Sequence, residues 1–218
     1  MLFLVAGAVT AFAAGFLKLA DSVRESEVVV RVDHRVLDFV SAHRVGWVSR
    51  GARWVTLLGS GSVVAVVVAV AVVVLVLRRR PFDALFVALS STGAAVLVEV
   101  VKNVVGRPRP ASSARLVSAS GAAFPSGHAA QSIACYAALA VVVAAGARSR
   151  RSRPLVVLAA ATIGLTVGGS RVYLGVHWAS DVVSGWLLAA GWLLALVGVR
   201  FAMQGSAADE EAGVPGGS

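Results

Sequence analysis

The sequence predicts an all-α integral membrane protein with six spanning helices. Three observations predict it. The chain is 58% hydrophobic and only 14% charged, and its mean hydropathy is +0.83. Its apolar residues fall in long runs, and a helix needs roughly 20 such residues to cross a bilayer. Some runs are rich in Val, yet a span must satisfy its own backbone hydrogen bonds, so runs of this length are read as helices rather than strands.

Six segments carry the pattern. The first runs from Met1 to about Ala20 and is uncharged until Lys18. "AFA" at 11–13 mimics a signal-peptidase box, but no charged region precedes it, so an uncleaved helix is expected. The second runs from Trp54 to Leu77 and contains "SVVAVVVAVAVVVLVL". The third, Phe82 to Val105, carries Glu99 and Lys102 near its end. The fourth starts at Pro125 and reaches Ala147; the fifth follows Pro154 and reaches Ser170; the sixth runs from Trp178 to Phe201. Residues 1–204 are thus expected to form one membrane-embedded domain. The tail at 205–218 is small, polar and acidic, and is expected to be disordered. Residues 21–53 mix six Arg with acidic and apolar residues, as a partly amphipathic surface helix would.

The formal net charge is +9. Its basic residues are scattered among apolar spans, with no basic helix or aromatic-basic module, so no nucleic-acid partner is expected. Anionic lipid or phosphate is the expected partner. Cys135 is the single cysteine and lies in an apolar run, which excludes an internal disulfide. "RRRP" at 78–81 and "RSRRSRP" at 148–154 lie on one side of the membrane, and the positive-inside rule makes that side cytoplasmic. Three polar stretches fall on the opposite side: "VKNVVGRPRP", "FPSGH" and "SRVYLGVHWASD".

In "FPSGH", Pro125 suits the first turn of a helix. Ser126 and Gly127 then present backbone N–H groups at a helix N-terminus, an anion site. His128 can exchange a proton near neutral pH. Lys102 and Arg109 bring a compact charge and a forked guanidinium that suits two phosphate oxygens. Snorkelling, with Glu99 pairing Lys102, explains one such cation, but less well Lys102, Arg107, Arg109 and Arg171 on one face. His177 and Asp181 are four apart at the expected start of a helix, which places them on one side of it. Asp181 can then hold one imidazole nitrogen and aim the other outward as a nucleophile. A metal site is the competing reading of two His and an Asp; the surrounding cations disfavour it.

Together these residues resemble the type 2 phosphatidic acid phosphatases, a superfamily shared with vanadium haloperoxidases and some soluble bacterial acid phosphatases. The signature is Lys-x6-Arg-Pro, Pro-Ser-Gly-His, then Ser-Arg-x5-His-x3-Asp. It is matched in order and spacing from Lys102 to Asp181. The resemblance implies a metal-independent, cofactor-free phosphatase acting on a lipid phosphate or diphosphate held in the bilayer. Phosphatidate, phosphatidylglycerophosphate and polyprenyl diphosphate are candidates. It implies that His177 forms a phosphohistidine, Asp181 orients it, and His128 protonates the leaving oxygen. It implies that Lys102, Arg109, Ser126, Gly127 and Arg171 hold the phosphoryl oxygens, with Arg107 an auxiliary or rim contact. Ala179 stands where many relatives carry Pro. A vanadate-dependent haloperoxidase is the alternative enzyme, though those relatives are expected to be soluble. A lipid-binding or transport protein is the non-catalytic alternative, and it would need the cations but not the His177–Asp181 pair. The site is expected to face the extracytoplasmic side of the cell membrane.

Overall fold

Eight α-helices make up the fold in the computed structural model, which describes residues 2–147 and 149–213. They are α1 (Leu2–Glu25), α2 (Glu27–Ala42), α3 (Gly46–Val55), α4 (Gly61–Leu77), α5 (Pro81–Val105), α6 (Gly127–Gly146), α7 (Ser152–Tyr173) and α8 (Ala179–Gly213). Among the described residues five helices are long and apolar enough to cross a membrane, and a bent pair makes a sixth span.

That pair changes the expected second span. Its outer end is α3 and a 3₁₀ turn, Thr56–Gly59, and the chain bends by 48° before α4. The break falls at "GSGS", where Ser60 caps the new helix by accepting from the Val63 amide at 3.4 Å. α4 has 17 residues and is short for a span by itself. The bend buries Thr56 against the interior.

α6 is the central helix, packed against α5, α7 and α8. Ala129, Ala130, Ala134, Cys135 and Ala138 are fully buried on it, and such small side chains let helix backbones approach closely. α1 packs on α8. At the end away from the polar loops, Asp83 accepts from Arg80 at 2.5 Å and from Arg200, which lies over the Phe86 ring.

Helix α8 runs to Gly213, and of the tail expected at 205–218, 214–218 lie outside the described residues. One further expectation changes. Pro125 does not occupy the first turn of α6. It precedes the N-cap Ser126, after a cis Phe124–Pro125 bond.

Candidate active site

Four helix ends meet on one side of the bundle: the C-termini of α5 and α7, and the N-termini of α6 and α8. Each brings part of the three polar stretches. Gly106 closes α5 in the left-handed conformation (φ 60°), which turns the chain into the loop carrying Arg107 and Arg109. Gly175 (φ 72°) makes the turn after α7, where its missing side chain leaves room for the Ala114 carbonyl. The Leu116 amide then donates to Leu174 at 2.9 Å and holds the turn.

His177 sits at the end of this turn and is 2% exposed. It precedes α8 rather than lying on it. The residues meet through the helix cap: Trp178 is the cap position, and Asp181 in the first turn accepts from the Trp178 amide at 2.9 Å. Asp181 Oδ2 is 3.4 Å from His177 Nδ1. At that separation the two are in electrostatic contact without a formed hydrogen bond, and Nδ1 has no other partner. On the other edge of the ring, Arg109 Nη1 lies 3.0 Å from Nε2. Arginine only donates, so Nε2 presents its lone pair and the ring proton is assigned to Nδ1, toward Asp181. Burial pushes the imidazolium pKa down to about 4, against the opposing pull of Asp181.

Arg109 does more than face an anion. Its guanidinium donates to the carbonyls of Ser120, Gly121, Ala122 and Val176 as well as approaching His177. It therefore ties the α5–α6 loop to the turn that carries His177. Burial draws it below its ordinary pKa, with Asp181 opposing.

Ser126 is fully buried. Its amide donates to the Asp181 carbonyl at 2.8 Å, so it is not offered to an anion as expected. Gly127 and His128 open α6, where the first amides lack intrahelical partners. A side chain on Gly127 would approach Lys102 Nζ to 3.8 Å, which places the ammonium beside that first turn. Arg171, His177, Lys102 and Arg109 are the charged and titratable groups around His128. Arg171 is buried; its Nη1 donates to Thr56 at 2.8 Å and its Nε has no partner. His128 also lines a cavity of about 360 Å³ between α4, α5 and α6, walled by Val64, Val68, Ala95 and Val98, with Glu99 and Gln131 beside it.

Arg107 departs most from its expected place at the rim. It is 9% exposed, and it donates to Asp181 Oδ1 at 2.6 Å, Ser180 Oγ at 2.7 Å and Asp33 Oδ2 at 2.7 Å. Asp33, Ser180 and Thr56 were not singled out by the sequence. For Asp33 a signal existed: it stands in the inward stripe of α2 with Val29, Val36, Leu37 and Val40, at a position where the helix otherwise places apolar residues.

The arrangement is a buried imidazole lone pair backed by a carboxylate. The guanidinium groups of Arg109 and Arg171 stand by it, and a second imidazole, His128, lies nearby with Lys102 at the N-terminus of α6. It suits attack on an anionic centre whose charge the cations stabilise. Among the described residues no group of three or more His, Cys, Asp or Glu is placed to hold a metal.

Residues 83–204 match the PAP2 superfamily. Phosphatidylglycerophosphatase B of Bacillus subtilis (strain 168) is 29% identical over 174 residues, covering 79% of this chain and 85% of the relative. The crystal structure of a transmembrane PAP2-type phosphatidylglycerolphosphate phosphatase from Bacillus subtilis superposes with a TM-score of 0.81 at 27% identity, covering 90% of this chain and 96% of that one. Aquifex aeolicus LpxE shares the fold, with a TM-score of 0.59 at 22% identity over 76% of this chain and 93% of its own.

Proposed function

Since this chain belongs to the PAP2 superfamily and is a membrane lipid phosphatase, we propose that it removes the terminal phosphate of phosphatidylglycerophosphate through a phosphohistidine at His177. The observation that carries the mechanism is the His177 ring, held with its Nε2 lone pair toward the cationic cleft and Asp181 behind it. Nε2 attacks phosphorus, the P–N bond forms, and the P–O bond to the glycerol breaks. Protonated His128 gives its proton to the leaving oxygen, which departs as the lipid alcohol. Neutral His128 then takes a proton from water as its oxygen bonds to phosphorus, and the P–N bond breaks to release inorganic phosphate and restore the His177 Nε2 lone pair. The unpartnered Arg171 Nε, Lys102 and the Gly127 amide are assigned to the phosphoryl oxygens, joined by the Arg109 guanidinium once its Nη1 leaves the His177 Nε2 lone pair to the attacked phosphorus. Ser126 acts by capping α6 and by holding the Asp181 backbone. No metal is assigned, because the transferring charge would already face these cations.

The similarity to phosphatidylglycerophosphatases supports this substrate over phosphatidate and polyprenyl diphosphate. The apolar cavity beside His128 suits an acyl chain leaving the headgroup toward the bilayer. The test is phosphate release by the purified protein from those three lipids, with and without excess EDTA. Fastest release from phosphatidylglycerophosphate, unchanged by EDTA and inhibited by vanadate, is expected. Activity that disappears with EDTA and returns on Mg²⁺ titration would reject the metal-independent mechanism.

We also assign the site to the extracytoplasmic face, opposite the two Arg-dense loops. Ser113 and Ser149 are exposed in loops on opposite sides of the bundle, and Cys135 is buried. After Cys135→Ala, a cysteine at Ser113 should react with an impermeant maleimide on intact cells and one at Ser149 should not. The reverse labelling would put the chemistry in the cytoplasm.

A further inference from the structure

We propose that Asp33 is a positioning residue of the active site, acting through Arg107 and Ser180 to hold Asp181 behind His177. Asp33 comes from α2, outside the segment matched to the family. It is 2% exposed. Its Oδ1 accepts from the Ser180 amide at 2.9 Å, so it caps the N-terminus of α8 from another helix. Its Oδ2 accepts from Arg107 Nη2 at 2.7 Å and from the Ser180 hydroxyl at 2.5 Å. Arg107 in turn fills Asp181 Oδ1. Oδ2 is then the Asp181 oxygen that faces Trp178 N and the imidazole.

The geometry is over-determined. The Arg107 guanidinium also lies 5.6 Å from the Trp178 ring centroid, and His34, next to Asp33, contacts the same ring at 4.6 Å. One guanidinium between two buried carboxylates can stay paired to both only while both are held in place. Without Asp33, Arg107 has one anionic partner and freedom to rotate. The Asp181 carboxylate loses the brace that keeps Oδ2 toward the ring. The phosphoryl cradle of Lys102, Arg171 and the Gly127 amide makes no contact with Asp33, so phosphate binding should survive its loss.

The inference rests on His177 being the nucleophile, and the experiment separates the two claims. The full chain is purified in detergent as wild type, Asp33→Asn, Arg107→Lys and the double variant. Phosphate release from the lipid that wild type turns over fastest is measured per folded molecule, with the inhibition constant of the product, inorganic phosphate, alongside. Vanadate mimics the transition state and should weaken in step with kcat, so the ground-state product is the control. Removing an outer partner of a metal ligand typically costs about 10- to 100-fold in activity, and a loss of that size is expected for the partners of Asp181. Each single variant should lose kcat by about that factor, with KM and phosphate inhibition within about twofold of wild type. The double variant should lose no more than the worse single one, since the residues act in one chain. Unchanged kcat, losses that multiply, or phosphate inhibition lost in step with kcat would overturn the proposal. The last outcome would mean a purely structural pair. If Asp33→Asn does not fold, Arg107→Lys decides by the same kcat and phosphate criteria. A wild type that released no phosphate from any of the lipids would instead overturn the phosphatase reading, and this inference with it.

Discussion

His177→Ala should lower phosphate release by ~10⁴-fold or more, the scale seen when a covalent nucleophile is removed. The ring is buried in the turn after α7, and among the described residues it is the imidazole in contact with both Asp181 and Arg109. His128 lies on the first turn of α6 and is not placed to take over the attack. Brief exposure to radiolabelled substrate followed by acid-free quenching should trap label on the wild-type chain and none on the variant. Asp181→Asn should leave a small residue of turnover, because the ring keeps its place but loses the carboxylate beside Nδ1. The pH profile checks the same group. In the proposed mechanism neutral His177 is the reactive form, and burial lowers its pKa to about 4. The enzyme should therefore keep its nucleophile as pH falls from neutrality and lose it as pH falls through about 4. A His177→Ala protein with more than about one per cent of wild-type turnover would remove the covalent mechanism, given the expected loss.

Gly185→Val should damage both stability and turnover although it touches no substrate. Even the first carbon of a side chain at Gly185 would lie 2.6 Å from the Ser126 carbonyl and 3.2 Å from Ala129 Cβ. Backbone cannot swing aside as a flexible side chain can, so α8 must move away from the N-terminus of α6. Overpacking of this kind costs about 1–3 kcal/mol. The shift also pulls on the Ser126 amide bond to the Asp181 carbonyl, which couples the two helix N-termini. A misplacement of about 1 Å in reacting groups costs on the order of 100-fold in rate. A lower melting temperature in detergent and a loss of that size are expected. Gly169→Ala is the control, since nothing lies within 4 Å of a side chain there. Equal effects from both substitutions would show that the contact with Ser126 has no special weight.

Much of this site was legible in one dimension because its parts are short and local. A span is set by apolar length, and the order of spans puts alternate loops on opposite faces. Lys102, Arg109, the 126–128 stretch, Arg171, His177 and Asp181 could therefore be gathered on one face before any packing was known, and the structure does bring them together.

What the tertiary structure decided is which polar groups face one another once buried. The intended partner of a donor is a matter of long-range packing, and local spacing carries no record of it. Arg107 and Arg109 both precede a proline and look alike in sequence. One is clamped between Asp33 and Asp181, and the other staples loop carbonyls to the His177 turn. Ser126 seemed to offer its amide to an anion, but α8 lies close enough to take it through the Asp181 carbonyl. Asp33 was hidden in a segment whose charges suggested a membrane surface, because only the docking of α2 onto α8 turns its inward stripe toward the cap of α8. A buried carboxylate is costly without partners, so its place among Arg107 and Ser180 is dictated by the assembled fold rather than by the sequence around it.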